Sequence, residues 1–249
     1  MSNFVTVHSF RRGVGRSSLV VNLAASLAQQ GRRVAIVDAD FQASSVHLFF
    51  GISESEIKAT LNDYLAGQCK IHDAVQDITP KLGAHTSGKL LLISASNKTN
   101  DIMQMLRTGM NVDRFTEGLT TLSKDFSLDY LLIDAASGLN EDTLTTIAVS
   151  NSVVLVMHPD SQNYQGTAVT VEVARKLQIS AIHIVLNDAP SSLNAVDMHN
   201  QIEQAYHCGP GTILSHSDEL LALGSGKVFV VEYPQHPLAE NIKTLAMSL

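Results

Sequence analysis

The chain has 249 residues, with 17 Lys and Arg against 24 Asp and Glu for a formal charge of −7; 45% of its residues are hydrophobic and 16% are charged. That balance describes a globular chain long enough to bury its own core, and it excludes a disordered, fibrous or polybasic protein. The two cysteines, Cys69 and Cys208, form no Cys-x-x-Cys pair, which excludes a disulfide framework or a four-cysteine zinc site and points to a reducing cytoplasm.

In chain order the pattern predicts strand 4–9, helix 17–30, strand 33–38, helix 53–65, strand 90–94, helices 100–106 and 112–123, and strand 130–134. It continues with helix 141–149, strand 153–157, helix 164–177, strand 181–186, helices 193–206 and 218–223, a late strand 228–231 and a last helix 238–247. The strands are Val, Ile and Leu runs, the form of parallel strands covered on both faces. Strand and helix alternating this often predict an α/β fold, a doubly wound, mostly parallel sheet flanked by helices. No linker-like segment or fixed-period repeat divides the chain, so residues 1–249 read as one domain. The stretch 79–89, with Gly83 and Gly88, reads as an irregular loop without chemistry. The opening ten residues have no basic segment leading into an apolar run, and no stretch reaches about 18 uninterrupted apolar residues, so neither export nor a membrane span is expected.

The first strand leads into Phe10-Arg-Arg-Gly-Val-Gly-Arg-Ser-Ser18, which opens a strong helix former. A loop of this kind offers backbone N–H groups and a positive helix end to an anion. Gly13 and Gly15 permit positive φ and close approach of a phosphate, and Ser17 supplies a hydroxyl of the kind that ligates Mg²⁺. Against G-x-x-x-x-G-K-[ST] the segment keeps Gly15 and Ser17 but has Phe10 and Arg16 at the other two defined positions. It also nearly fits a dinucleotide fingerprint, with Gly13-x-Gly15-x-x-Ser18 and Asp38 after the next strand, which would imply a nicotinamide dinucleotide enzyme. Arg11, Arg12 and Arg16 put three cations near one cradle and favour a polyphosphate.

The segment from Arg11 to Ser17 resembles the deviant Walker A loop of the ParA/MinD family of P-loop ATPases, in its MinD/FlhG/CpaE-like branch. The family pattern is K-G-G-x-G-K-[ST], and this chain has Arg for both lysines and Arg12 for the first glycine. Val37-Asp-Ala-Asp-Phe-Gln-Ala-Ser44 is similar to the family's D-x-D switch, and Leu131-Leu-Ile-Asp-Ala-Ala-Ser-Gly138 resembles its Walker B strand and second switch. Residues 60–67, Val185-Leu-Asn187 and the tail 237–246 are further similar landmarks, so the resemblance covers nearly the whole chain.

The resemblance implies ATP and Mg²⁺ as cofactors and a P-loop fold. The backbone of Arg11, Arg12, Gly13, Val14, Gly15, Arg16, Ser17 and Ser18 would hold the phosphates, with Arg16 reaching between the β- and γ-phosphates. Ser17, Asp38 and Asp134 would serve the metal, Asp40 would orient the attacking water, and Asn187 would read the adenine edge. Arg11 would act across an ATP-dependent homodimer; alternatively Arg12 is the residue that crosses. Guanidinium for ammonium is not a conservative exchange, so hydrolysis is expected to be weak, with a dimeric scaffold of little turnover as the alternative.

Family members act as switches on DNA, membrane or protein. The tail 238–249 has Lys243 as its one cation, which argues against a lipid-binding helix. From residue 151 onward four cations stand against nine acids, which disfavours DNA and leaves Arg32, Arg33, Lys58 and Arg107 for any such patch. A regulatory protein partner is the expectation, in the positioning of a cellular structure.

Overall fold

The computed structural model describes residues 2–84, 86–209 and 211–249, so His85 in the 79–89 loop lies outside the described residues. β1 (Asn3–His8) is followed by α1 (Arg16–Gln29), β2 (Arg33–Ala39), α2 (Val46–Phe49), α3 (Leu61–Leu65), β3 (Val75–Asp77), β4 (Lys89–Ile93), α4 (Thr99–Thr108), α5 (Val112–Asp125) and β5 (Tyr130–Ala135). The second half runs α6 (Glu141–Ala148), β6 (Ser152–Met157), α7 (Ser161–Lys176), β7 (Ala181–Ala189), α8 (Ala195–Tyr206), β8 (Thr212–Ser215), α9 (Asp218–Leu223), α10 (Phe229–Glu232) and α11 (Pro237–Ser248).

Among the described residues the strands form one sheet in the order β3-β4-β2-β5-β1-β6-β7-β8, with β3 antiparallel to β4 and the other pairings parallel. Successive side chains of β2 serve opposite layers: Val34 and Ile36 join the core around α1, while Ala35, Val37 and Ala39 join the one around α3 and α5. Both faces are therefore apolar, which is why the strand sequences show little alternation. Helix α1 is buried without a break from Leu19 to Ala28 and packs on α11.

Position follows from this topology. β1 lies between β5 and β6, and its own crossover returns through α1 to β2, beyond β5. Chains leaving the carboxyl ends of β1 and its neighbours diverge there, which opens the crevice where such sheets take their ligands.

The structure corrects the expected late strand and the expected long helix, and adds elements that the pattern did not predict. The Val-rich run 228–231 is helical in α10, because Val228, Phe229 and Val230 are buried in the α1–α11 core and the Val230 N–H is taken by Asn22 Oδ1 at 2.9 Å. The expected helix 53–65 is broken into a short turn at Glu54–Glu56 and α3, where Thr60 and Asp63 form a new capping box. The edge strands β3 and β8 were not anticipated. The 79–89 loop begins with a helical turn at Thr79–Leu82, and Gly88 is required near its end, since a Cβ there would lie 2.2 Å from the Arg32 carbonyl oxygen. No helix among the described residues is long and apolar enough to cross a membrane.

Candidate functional site

The glycine loop leaves β1 at its carboxyl end, bends through Gly13 at φ 81° and Gly15 at φ 86°, and enters α1 at Arg16. Glycine takes these left-handed angles without steric cost. Nothing stands within 4 Å of a Cβ built on Gly13, whereas one on Gly15 would meet Asn187 Nδ2 at 2.3 Å. That amide donates to the Val14 carbonyl at 2.9 Å, so Asn187 braces the loop from β7. Phe10 lays its ring on Gly166 of α7, where a Cβ would lie 2.0 Å from a ring atom. The loop is thus held on two sides by elements distant in sequence.

No side chain caps α1 and no acid lies in its first turn, which leaves its positive end and first N–H groups for an anion. A cavity of about 480 Å³ opens there; Gly13, Gly15, Ser17 and Ser18 line one part of it, and Asn187 and Ser215 another. Its size suits a small-molecule ligand.

Arg16 is turned onto the switch acids. Its Nε donates to Asp134 Oδ1 at 2.6 Å and its Nη2 to Asp40 Oδ2 at 2.7 Å. The three side chains are 9%, 1% and 5% exposed. One guanidinium therefore joins the loop to the ends of β2 and β5 at once.

The neighbouring carboxylates are heavily engaged. Asp40 Oδ1 accepts the N–H groups of Gln42 and Ala43 at 3.3 and 3.2 Å, so both its oxygens are used. Asp38 Oδ2 accepts the Ser44 hydroxyl at 2.8 Å and the N–H groups of Ser45 and Val46, while its Oδ1 accepts the N–H of Asp40. Asp38 thereby folds the 40–46 segment around itself. Burial, then the charge of Asp134, pushes Asp38 up to about 7. Burial also raises Asp134, against the opposing pull of Arg16 and Ser17. Three carboxylates with one guanidinium, which among the described residues bonds only Asp40 and Asp134, leave the cluster short of positive charge.

A divalent ion fits part of this arrangement. Mg²⁺ commonly takes one or two carboxylates together with substrate phosphates and water. Asp134 Oδ2 is buried without a hydrogen-bond partner and Ser17 lies beside the same carboxylate, so these two residues suit an ion carried with a phosphate group. Asp38 is more heavily engaged: Oδ2 accepts three hydrogen bonds, and Oδ1, which accepts one, is the oxygen with capacity left toward such an ion. Among the described residues no three His, Cys, Asp or Glu side chains gather as a metal cluster of their own.

Of the three arginines expected around one anion, two line the cavity. Arg12 donates to Gln42 at 3.1 Å and Arg16 is bound to Asp40 and Asp134, while Arg11 donates to Gln162 on α7, away from the cavity lining. Sequence reasoning missed Gln42, which lies in the D-x-D segment without being singled out, Gln162, which no motif marks, and also Asp188 on the cavity's far side with its partner His216. The one signal that could have found Asp188 is its position directly after Asn187.

His8 closes β1 just before the loop, fully buried, with Nδ1 bonded to the Ala136 carbonyl at 2.9 Å. Burial, reinforced by the charge of Arg16, lowers its pKa from 6.5 to about 3.

A glycine-rich strand–loop–helix unit, with acids from two adjacent strands at its mouth, defines a P-loop nucleotide-binding protein. Residues 2–200 match the AAA_31 family, an AAA domain, and the chain belongs to it and to the ParA/MinD group of P-loop ATPases. An uncharacterized ATP-binding protein of Methanocaldococcus jannaschii is 22% identical over 250 residues, covering 100% of this chain and 88% of that protein. The septum site-determining protein MinD of Synechocystis sp. is 26% identical over 188 residues, 75% of this chain and 65% of that one. The MinD of Pyrococcus horikoshii, solved in complex with Mg-ADP, superposes with a TM-score of 0.81 at 20% identity, over 100% of this chain and 96% of that chain. Family membership identifies the loop as a P-loop and not as a dinucleotide fingerprint.

The folded state refuses a proton at His8 that the unfolded chain accepts near pH 6.5. Stability from this group is full above that pH and is lost as pH falls toward about 3. In NMR spectra assigned with a His8→Gln variant, the His8 ring is expected to stay neutral at pH 5; titration above that pH would show that the end of β1 is not sealed.

Proposed function

We propose that the chain is an ATP-dependent dimerising switch of the ParA/MinD type, a single domain acting in the cytoplasm under a regulatory protein partner to position a cellular structure. The observation that carries this reading is the convergence of the glycine loop, Asp40 and Asp134 at one crevice, joined by Arg16, with Asp38 folding the switch segment beside them. The N–H groups of Gly13 to Ser18 would bind the phosphates, and Arg12, on the cavity wall, would add charge to them. Ser17 and Asp134 would hold Mg²⁺, which supplies charge neutralisation when bound. Arg11, set outside the cavity on Gln162, suits a contact with a second subunit. No feature of the charge distribution favours DNA or a lipid surface as the partner.

The same geometry gives specific support to a second reading, a dimeric scaffold with little turnover. Asp40 is the residue that would orient water, and with Oδ1 on two backbone N–H groups and Oδ2 on Arg16 it is held by three hydrogen bonds, with one acceptor site on the guanidinium-bound oxygen left for that task. Rate depends on such placement, and an error of about 1 Å can cost on the order of 10²-fold. Weak hydrolysis and none at all are the two ends of one constraint.

Sedimentation velocity tests the switch. Mg-ATP is expected to bind and convert monomer to dimer while Mg-ADP leaves it monomeric; an absence of ATP binding, or a mass indifferent to the nucleotide, would contradict the reading. Radiolabelled phosphate release then separates switch from scaffold, with slow release for the first and none for the second. Arg16→Lys, which keeps the charge but loses the fork that spans two acids, is expected to raise release by about 10-fold or more, a part of the roughly 10²–10³-fold that one well-placed transition-state contact is worth. Unchanged or lower release at equal ATP occupancy would show that Arg16 is not what restrains Asp40.

A further inference from the structure

The carboxyl end of β7 departs from a regular strand at the cavity wall. Its pairing with β8 shifts register between Leu186 and Ala189, and Asp188 inside that shift has a left-handed backbone, φ 57°. Irregular pairing re-aims side chains next to binding sites, and strained residues mark ligand clamps. Asp188 is also pinned: His216 Nδ1 lies 2.6 Å from its Oδ1, and the other ring nitrogen of His216 lies 3.3 Å from Asp218 Oδ1. Its Oδ2 has no hydrogen-bond partner among the described residues. Asp188, Ser215 and Ser217 line the cavity that the glycine loop also lines, and Asn187, one residue earlier, touches the loop itself.

With the phosphates at the loop, this wall receives the other end of a nucleotide. We propose that Asp188, held by His216, selects the base by accepting a hydrogen bond from its exocyclic amino group. The proposal rests on the reading of the cavity as the nucleotide site. A fixed carboxylate oxygen accepts from an amino group, as on adenine, and repels an oxo oxygen at the same place, as on hypoxanthine. Asparagine tolerates the left-handed backbone and can turn a donor or an acceptor to the base, so Asp188→Asn keeps the fold while removing the discrimination.

Calorimetry with ATP and inosine triphosphate tests it. The unmodified chain is expected to bind ATP about 10-fold or more tighter than inosine triphosphate, the worth of one such hydrogen bond against a repulsive contact. Asp188→Asn is expected to bring the two within about threefold, and His216→Ala to lower the ratio with an unchanged circular dichroism spectrum. Equal affinities in the unmodified chain, or a ratio that Asp188→Asn leaves alone, would overturn the proposal while leaving the nucleotide site intact. Failure of the unmodified chain to bind either triphosphate would overturn the nucleotide reading and this one together.

Discussion

A buried guanidinium shared between two carboxylates is the interaction on which the organisation of this crevice depends. Arg16 sits in the first turn of α1, Asp40 just beyond β2 and Asp134 near the end of β5, and they meet within 2.7 Å at low exposure. Taking these charges out of water is costly, and the cost is offset only by good geometry and further hydrogen bonds. Asp40 has those further bonds from the 42–43 backbone; Asp134 does not, and its second oxygen is an unpaired buried acceptor. The cluster is therefore complete around Asp40 and incomplete around Asp134. That asymmetry separates the acid that shapes the switch segment from the acid suited to a metal ion.

The rest of the crevice follows from chain topology. Because β1 lies between β5 and β6, its loop opens where neighbouring connections diverge, and residues from β7 and α7 can brace it. Gly15 and Gly166 are glycines for different reasons. The first needs both a positive φ and room for Asn187; the second gives its Cβ position to the ring of Phe10. Phe10 replaces a glycine of the loop pattern, and Gly166 provides the space for that replacement.

The sheet and most helices were legible because burial on both faces writes itself into strand composition and helices carry an apolar stripe. The run 228–231 misled because Val-rich composition reports burial as well as strand, and here burial against α1 and α11 decided the conformation. β8 escaped because four residues on an edge carry too little pattern. Glycines, hydroxyls and acids of the crevice could be named from motif spacing, but the destination of each arginine could not. A guanidinium on a long side chain reaches several acceptors, and only the folded positions of Asp40, Asp134, Gln42 and Gln162 assign Arg16, Arg12 and Arg11 to them. For the same reason Asp188 and His216, which are 28 residues apart in sequence, gave no joint signal.

The central claim is that Arg16 and Asp134 act as one unit in the folded chain. A double-mutant cycle with Arg16→Ala and Asp134→Ala, read by urea denaturation, measures that directly. The account predicts a coupling on the order of 1–3 kcal/mol, because Arg16→Ala strands the buried Asp134 carboxylate, Asp134→Ala leaves Arg16 on Asp40 alone, and the double change removes the pair while Asp40 keeps its two backbone hydrogen bonds. Additive effects, to within about 0.5 kcal/mol, would mean that the guanidinium and the carboxylate are not paired and would contradict it.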